Sequence, residues 1–384
     1  MSRFKKVNFI AIFILIVFVA TIFSGCAIDL SAFFTNPTKP FTPTTPITPP
    51  NKGEISFHFM LLGNSKAGDC IYIKAGENDI LIDGGSYYDS LDDITNYVNK
   101  YCTDNKLEYV IATHGDEDHI ACLGGNKNGD SIFDLYEVST IIDFPLTTKK
   151  SQIYNRYRAE VQAEVDDGNT MHYTALECYN NENGASRVYQ LNDDCSIKME
   201  ILYNHYYENK SSNENNYSVC VMFYHGERQF LFTGDLEKEG EEKLADKYEF
   251  SQVELFKLGH HGSYTSSNDV LLKEIKPKIC VATACAGSVQ YTDALENTFP
   301  SQQVINRVGK YTDKIYVPTM INVKQIGELE SGKPDYINDG SEILLNGDIV
   351  VYSKPNVDVY VECSNNNTIL KDTNWFKQNR NWIG

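Results

Sequence analysis

Positive charge and long apolar runs are both scarce in this chain. Of 384 residues, 34 are Lys or Arg against 52 Asp or Glu, a formal net charge of −18 at pH 7. A field of that sign repels polyanions, and no Lys/Arg stripe is evident that would neutralise phosphates along a nucleic-acid backbone. Beyond the N-terminus no apolar stretch approaches the ~20 residues that cross a bilayer, which argues against a multi-span channel or transporter. The ten cysteines form no CxxC pair and no regular framework, so nothing in their spacing marks a disulfide scaffold. Cys70, Cys220 and Cys280 fall inside apolar strand patterns and read as small buried thiols. No separate Cys/His constellation suggests a cysteine nucleophile.

The one apolar run is N-terminal. Phe9 to Phe23 follows a basic start of Arg3, Lys5 and Lys6. It is short for a transmembrane helix and has the length of a signal-peptide core. Phe23-Ser24-Gly25-Cys26 resembles a bacterial lipoprotein cleavage box. Residues 1–25 are therefore expected to be a lipoprotein signal peptide, with Cys26 the lipidated residue. Residues 26–52 then hold the lipid anchor and a spacer, in which Thr35 to Pro50 is rich in Thr and Pro and almost uncharged. Such a segment stays extended and builds no core. The expected address is extracytoplasmic, on the bacterial cell membrane. The rest is long enough for one large domain, expected over 53–355 with a C-terminal extension at 356–384.

The chemistry concentrates at strand ends. Tyr109-Val110-Ile111-Ala112 reads as a short buried strand, and His114, Asp116, Asp118 and His119 follow within six residues. Imidazole suits zinc, and carboxylate oxygen also suits manganese or magnesium, so the mixture points to a hard or borderline divalent ion. The same layout recurs in Phe230-Leu231-Phe232-Thr233-Gly234-Asp235, in Leu255-Phe256-Lys257-Leu258-Gly259-His260-His261-Gly262-Ser263, and upstream in Ile80-Leu81-Ile82-Asp83-Gly84-Gly85. Other expected strands are Phe57 to Leu62, Ile71 to Ala75, Val219 to Tyr224 and Ile279 to Thr283. Leu91 to Cys102 and Glu237 to Tyr248 read as helices. Lys150 to Tyr189, polar and rich in tyrosine, reads as an insertion in which Arg156 to Val165 is helical.

Together, His114-x-Asp116-x-Asp118-His119, Thr233-Gly234-Asp235 and Gly259-His260-His261-Gly262-Ser263 resemble the metallo-β-lactamase superfamily, and within it the hydrolase domain of the competence DNA-uptake protein ComEC. Gly68-Asp69-Cys70-Ile71 fits that group's opening hairpin, Asn215-Asn216-Tyr217-Ser218-Val219 its polar segment before a central strand, and Phe299-Pro300-Ser301 its closing helix. The resemblance spans roughly Glu54 to Ser353 and implies an α/β fold, the αββα sandwich. It also implies two divalent metal ions, zinc or manganese. His114 and Asp116 would hold one, Asp118 and His119 the other, with Asp235 bridging and one of His260 or His261 completing the second site. Asp69 and Asp83 are expected to orient the ligands. Two departures matter. Asp116 stands where the superfamily usually has histidine, and the usual lone histidine of the third motif is replaced by the stretch holding Asn216 and Ser218. His205 lies nearby in sequence, but a lone histidine beside tyrosines reads as structural. One site is thus expected to be oxygen-rich and weaker for zinc.

The function so implied is a surface-tethered, metal-dependent phosphodiesterase or nuclease, with water activated between the two ions. Asp118, His260, His261 and Ser263 are the expected catalytic set, the histidine left free by the metal or Ser263 acting as proton donor. Substrates would be phosphodiesters, nucleic acid among them, or other esters. A cell-envelope or small-molecule ester hydrolase is the alternative, and a non-catalytic surface binder a third reading that the intact Asp118, His119 and Asp235 disfavour. The membrane is met through the N-terminal lipid, and no protein partner can be named.

Overall fold

Alternating apolar residues build two facing sheets. The computed structural model describes residues 53–384 apart from 127, 128, 293 and 330. The expected signal peptide, Cys26 and the spacer lie outside the described residues. The first part of the chain runs β1 (Ile55–Phe59), β2 (Ile71–Ala75), β3 (Asn78–Ile82), α1 (Leu91–Val98), β4 (Lys106–Ile111), α2 (Glu117–Gly124), α3 (Ile132–Leu135), β5 (Glu137–Asp143), α4 (Gln152–Asp166), β6 (Met171–Thr174) and α5 (Ala175–Asn180). The second continues with β7 (Val188–Gln190), β8 (Ile197–Leu202), β9 (Cys220–His225), β10 (Arg228–Phe232), α6 (Lys238–Lys247), β11 (Leu255–Lys257), α7 (Asp269–Ile275), β12 (Ile279–Val281), β13 (Cys285–Ala286), α8 (Gln302–Val308) and β14 (Ile315–Tyr316). A hairpin of β15 (Thr319–Glu328) and β16 (Pro334–Leu344) follows, then β17 (Ile349–Ser353), β18 (Tyr360–Cys363) and α9 (Asn374–Asn379).

One sheet has the order β18-β17-β1-β2-β3-β4-β5-β6 and the facing one β14-β12-β11-β10-β9-β8-β7, while β13-β15-β16 form a small third sheet. Side chains alternate across a strand, so each strand of the second sheet feeds two layers. Val221 and Phe223 of β9 and Phe230 and Phe232 of β10 join the core between the sheets. Cys220, Met222 and Leu231, one residue out of phase, face the outer layer with Leu244 of α6, Leu272 of α7 and Ile305 of α8. Phe57 of β1 meets Phe230 across the sandwich at 4.6 Å between ring centroids and Phe223 edge-on at 5.6 Å. Ile94 of α1, Ile120 of α2 and Tyr157 of α4 cover the first sheet. The αββα expectation holds.

Local detail departs from expectation in informative ways. The β2–β3 hairpin turns in two residues, where Gly76 supplies the positive φ of 61° that such a tight turn needs. Residues 150–189, expected to be an insertion, are part of the sandwich: β6 pairs in parallel with β5, and Tyr157 is fully buried. Residues 356–384 contribute the edge strand β18, and Trp375 and Phe376 of α9 are buried in the outer layer. The helix expected over Leu91 to Cys102 ends at Val98. Cys70, Cys220 and Cys280 are buried free thiols, as expected. Among the described residues no helix is long and apolar enough to cross a membrane.

Five strands of the two sheets end at the same edge. Asp83 follows β3, His114 follows β4, Asp235 follows β10, His260 and His261 follow β11, and Thr283 follows β12. Rigid strands with loops at their carboxyl ends are a general way to hold a site in α/β folds.

On the far side of β1, His58 is fully buried between α1 and the sheet. Its Nδ1 meets Tyr97 Oη at 2.9 Å and its Nε2 meets Ser56 Oγ at 2.8 Å. Burial disfavours the imidazolium and pushes the pKa down from 6.5 to about 3. The folded state therefore binds this proton less readily than the unfolded chain. The stabilisation is present above pH 6.5 and is lost as pH falls toward 3, at most about 1.4 kcal/mol per pH unit. The stability gap between wild type and His58→Gln, read by urea unfolding, should narrow steadily from pH 7 to pH 4. A gap that does not change with pH would rule this role out.

Candidate metal centre

The centre is assembled from the inside outward. Asp83 Oδ1 accepts from the backbone N–H of Thr113 at 2.7 Å, and Oδ2 accepts from Thr113 Oγ1 at 2.8 Å. The same Oδ2 lies 2.8 Å from His119 Nδ1. A carboxylate at Nδ1 fixes the ring and leaves Nε2 as the free lone pair. Asp69 does the same for His261, its Oδ1 lying 3.2 Å from Nδ1, and Thr283 Oγ1 is also 3.2 Å from that nitrogen. Thr113 Oγ1 sits 3.1 Å from His114 Nδ1. Asp69 and Asp83, expected to orient ligands, are therefore in place to do so.

The opposite nitrogens converge. His119 Nε2 lies 3.2 Å and His261 Nε2 3.1 Å from Asp235 Oδ2, while His261 Nε2 is 3.5 Å from Asp118 Oδ2. His114 Nε2 is 3.5 Å from Asp116 Oδ2. All three Nε2 atoms are buried and none has a hydrogen-bond partner. Buried polar atoms are normally satisfied. Three imidazole lone pairs aimed into one space beside carboxylate oxygens are what divalent cations would satisfy. The donor atoms of His114, His119 and Asp235 lie within 4.8 Å of one another, as do those of Asp118, His119 and His261. Imidazole and carboxylate together fit zinc, manganese or iron.

Charge gives a second test of fit. Among the described residues, the carboxylates of Asp69, Asp83, Asp116, Asp118 and Asp235 pair with two ammonium groups, those of Lys149 and Lys257. Lys257 is fully buried, paired with Asp69 and lying 3.2 Å from Asp235 Oδ1. Burial opposes its charge, but the two carboxylates outweigh that and hold its pKa above the ordinary value. Burial would likewise raise the Asp235 carboxyl, yet His261, His119 and Lys257 keep it well below the usual range. Burial pulls His119 and His261 toward neutrality, and the adjoining carboxylates, Asp235 first among them, hold both well above the usual imidazole value, so a bound cation would take the place of a proton at Nε2. Without those imidazole protons, Lys257 alone among the described residues faces the buried carboxylates of Asp69, Asp83 and Asp235, and bound metal ions would make up the difference.

The structure separates the two histidines that the motif left open. His260 and His261 both have left-handed backbone, with φ of 50° and 54°. The turn sends His261 into the buried cluster. His260 stays 24% exposed, its Nδ1 3.3 Å from Glu237 Oε1 and its Nε2 3.9 Å from Asp235. Ser263, expected to face substrate, is buried with its Oγ against Thr265 Oγ1 at 3.0 Å, so it braces the histidine loop instead. His205 contacts Tyr206 and Asn209 and is not among the clustered donors. Asp116 is shared, because Lys149 pairs with its other oxygen. Ser218 accepts from the backbone N–H of Asp235 at 3.0 Å, and Asn215 lines the cleft. In this arrangement the motif's missing histidine is replaced by polar backbone support.

Four participants escaped the motif reading. Lys257 was visible as a charge inside a three-residue apolar strand. Lys149 lies in the loop after β5, beside the strand that carries His114. Glu214 accepts from Gly115 N at 3.1 Å and from Thr148 N at 2.6 Å, tying the two loops together. Tyr291 Oη donates to Asp118 Oδ2 at 3.0 Å across 173 residues of sequence, which no local pattern signals.

The centre opens into a cleft of about 460 Å³ lined by Tyr87, Asp116, Asp118, Asn215, Asp235, His260 and Tyr291 among others. The family model of the metallo-β-lactamase superfamily matches residues 64–128 and 213–282, the two stretches that carry Asp83, His114, His119, Asp235 and His261. Within it, the chain is similar to competence proteins. It is 35% identical over 123 residues to competence protein ComA of Neisseria gonorrhoeae, covering 31% of this chain and 16% of that one. It is 32% identical over 182 residues to ComE operon protein 3 of Bacillus subtilis, covering 47% and 20%. The chain thus matches only a fifth or less of the length of these relatives. Among solved structures, the metallo-β-lactamase fold protein YhfI of Bacillus subtilis aligns over 69% of this chain and 96% of that one, with 13% identity and a TM-score of 0.40. The family-model match and the competence relatives agree with the resemblance read from the motifs.

Metal content of single variants tests the geometry. Protein loaded with manganese or zinc and then desalted should lose at least one ion per chain in His261→Ala. His260→Ala and His205→Ala should keep the wild-type content by elemental analysis. Equal losses in His260→Ala and His261→Ala would contradict the assignment.

Proposed function

We propose that this chain is a metal-dependent phosphodiesterase, with nucleic acid among its substrates, displayed outside the cytoplasm through a lipid on Cys26. The observation that carries the reading is the set of three unpartnered, buried Nε2 atoms around Asp235. A hydrolytic centre needs a preorganised cationic site, and these residues supply every donor for one.

In this reading His119, Asp118, His261 and Asp235 would hold one ion, and His114 and Asp116 beside Asp235 the other. When bound, the ions supply positive charge that polarises a phosphoryl oxygen and makes water nucleophilic near neutral pH. The protein does the rest. Asp83 and Asp69 hold the imidazoles in one orientation, and Lys257 holds Asp235 from behind. His260, backed by Glu237 and lining the cleft, is placed to give a proton to a leaving oxygen. Tyr291 holds Asp118 and presents its half-exposed ring to the cleft.

Similarity to competence proteins supports a nucleic-acid substrate, and the motif resemblance points the same way. The charge of −18 favours smaller or less charged esters instead. Bound divalent ions would offset negative charge only at the centre, so a short phosphodiester reconciles the two. A hydrolase of envelope phosphoesters is the second reading, favoured by that acidity and by the expected surface tether.

One fractionation experiment tests chemistry and address together. Membranes from bacteria expressing the full chain should hydrolyse bis-p-nitrophenyl phosphate when manganese or zinc is present, and lose that activity to a chelator. Asp235→Asn should cut the rate by about 100-fold or more, on the scale seen when metal-ligand support is removed. Cys26→Ser should move an unchanged activity into the soluble fraction. Full activity in Asp235→Asn would end the two-metal reading, and activity of Cys26→Ser that withstands carbonate washing of the membranes would end the lipoprotein one.

A further inference from the structure

The metal cleft does not end at Tyr291. The same residue lines an adjoining open cleft of about 630 Å³, to which the β15–β16 hairpin contributes Lys333, Pro334 and Tyr336 and the loop after Tyr291 contributes Leu295 and Asn297. The hairpin is fixed there rather than loosely appended. Asn338 Oδ1 accepts from the backbone N–H of Val289 at 3.0 Å, and Asn338 Nδ2 donates to Ser288 Oγ at 3.0 Å. On the other side of the same loop, Gln290 Oε1 accepts from Ala67 N–H at 3.0 Å. Tyr291 is further supported by Phe299, at 5.6 Å between ring centroids, and Phe299 in turn lies 5.8 Å from the His260 ring. A continuous aromatic wall thus runs from the proton donor into the second cleft.

The chemistry of this second cleft differs from the first. It offers two tyrosines, 53% exposed in the case of Tyr291, with Leu295 and Pro334 beside them, and amide and hydroxyl groups from Asn297 and Thr292. Among the described residues its ionic groups are one ammonium at Lys333 and one carboxylate at Glu296, and Lys333 makes no ion pair among them. Nothing there matches a second phosphate. Flat rings and neutral hydrogen-bonding groups match an uncharged ring, which stacks on tyrosine and tolerates the surrounding negative field.

We infer that the cleft between Tyr291 and Tyr336 is a binding subsite for an uncharged ring, a sugar or nucleobase, attached to the phosphodiester held at the metal centre. This rests on the phosphodiesterase reading and narrows it. The enzyme selects esters that carry a ring one position away from the scissile bond, and additional phosphates beyond it contribute nothing.

The test compares three p-nitrophenyl phosphodiesters on metal-loaded protein, their second alcohol being methanol, an abasic deoxyribose or thymidine. The ring-bearing esters should show KM lower by about tenfold than the methyl ester, the size that one ring stacked on tyrosine carries. Tyr336→Ala, on the exposed hairpin and outside the metal centre, should erase that advantage while leaving the methyl ester's kcat and KM unchanged. Tyr336→Phe should restore it. Comparison of the abasic and thymidine esters reads how much belongs to sugar and how much to base. Equal KM for all three esters, or an advantage that survives Tyr336→Ala, would overturn the subsite. Saturation-transfer NMR on thymidine 5′-methyl phosphate gives a readout without turnover. If no ester is hydrolysed the phosphodiesterase reading fails, while transfer seen in wild type and lost in Tyr336→Ala still upholds the ring subsite. Absence of transfer in wild type overturns it.

Discussion

A buried surplus of carboxylate around Asp235 is the constraint on which the rest of this molecule depends. Removing charged groups from water costs several kcal/mol each unless they are paired and hydrogen-bonded. The chain nevertheless buries Asp69, Asp83 and Asp235 almost completely, and among the described residues Lys257 is the fully buried ammonium set beside Asp69 and Asp235. Hydrophobic burial in the two layers of the sandwich must offset that expense. The phenylalanine cluster joining β1, β9 and β10 lies between the same sheets whose ends carry the carboxylates. Core and site are thus mechanically one object: the strands that pack the centre also aim the ligands.

The lone-pair geometry follows from that rigidity. His119 and His261 each have a carboxylate behind Nδ1, which leaves Nε2 pointing inward. The left-handed backbone at His260 and His261 turns consecutive residues to different tasks. One ring enters the cluster, and the other stays at the cleft beside Glu237. Adjacent histidines in an extended segment would alternate to opposite faces, and only one would reach the site; the strained turn keeps both near Asp235.

The sequence made the centre legible where ligands follow apolar strands. β2 at Ile71–Ala75 was readable to the residue, and the strand ends at Asp83, His114, Asp235 and His260 were visible because polar groups beside glycine interrupt β-branched runs. Choosing between His260 and His261 required backbone torsions that no spacing encodes. Lys149, Glu214 and Tyr291 reach the site from loops distant in sequence, so their roles exist only in the folded chain. The polar stretch from 150 to 189 was misread as an insertion because its helix α4 buries only three residues, Ile153, Tyr157 and Val161, leaving a weak apolar stripe. The hairpin β15–β16 gave little signal for a related reason: beyond Ile321 its side chains are mostly exposed, so alternation carries no core pattern.

The central claim is that the unpartnered imidazoles are metal ligands arranged around Asp235. Crystals of residues 53–384 soaked in manganese, with anomalous scattering recorded at the manganese edge, address it directly. The account predicts anomalous peaks within coordination distance of His119 Nε2, His261 Nε2 and Asp235, with a second, weaker peak toward His114 and Asp116. Manganese bound instead between His260 and Glu237, or no peak near Asp235 at saturating metal, would contradict it.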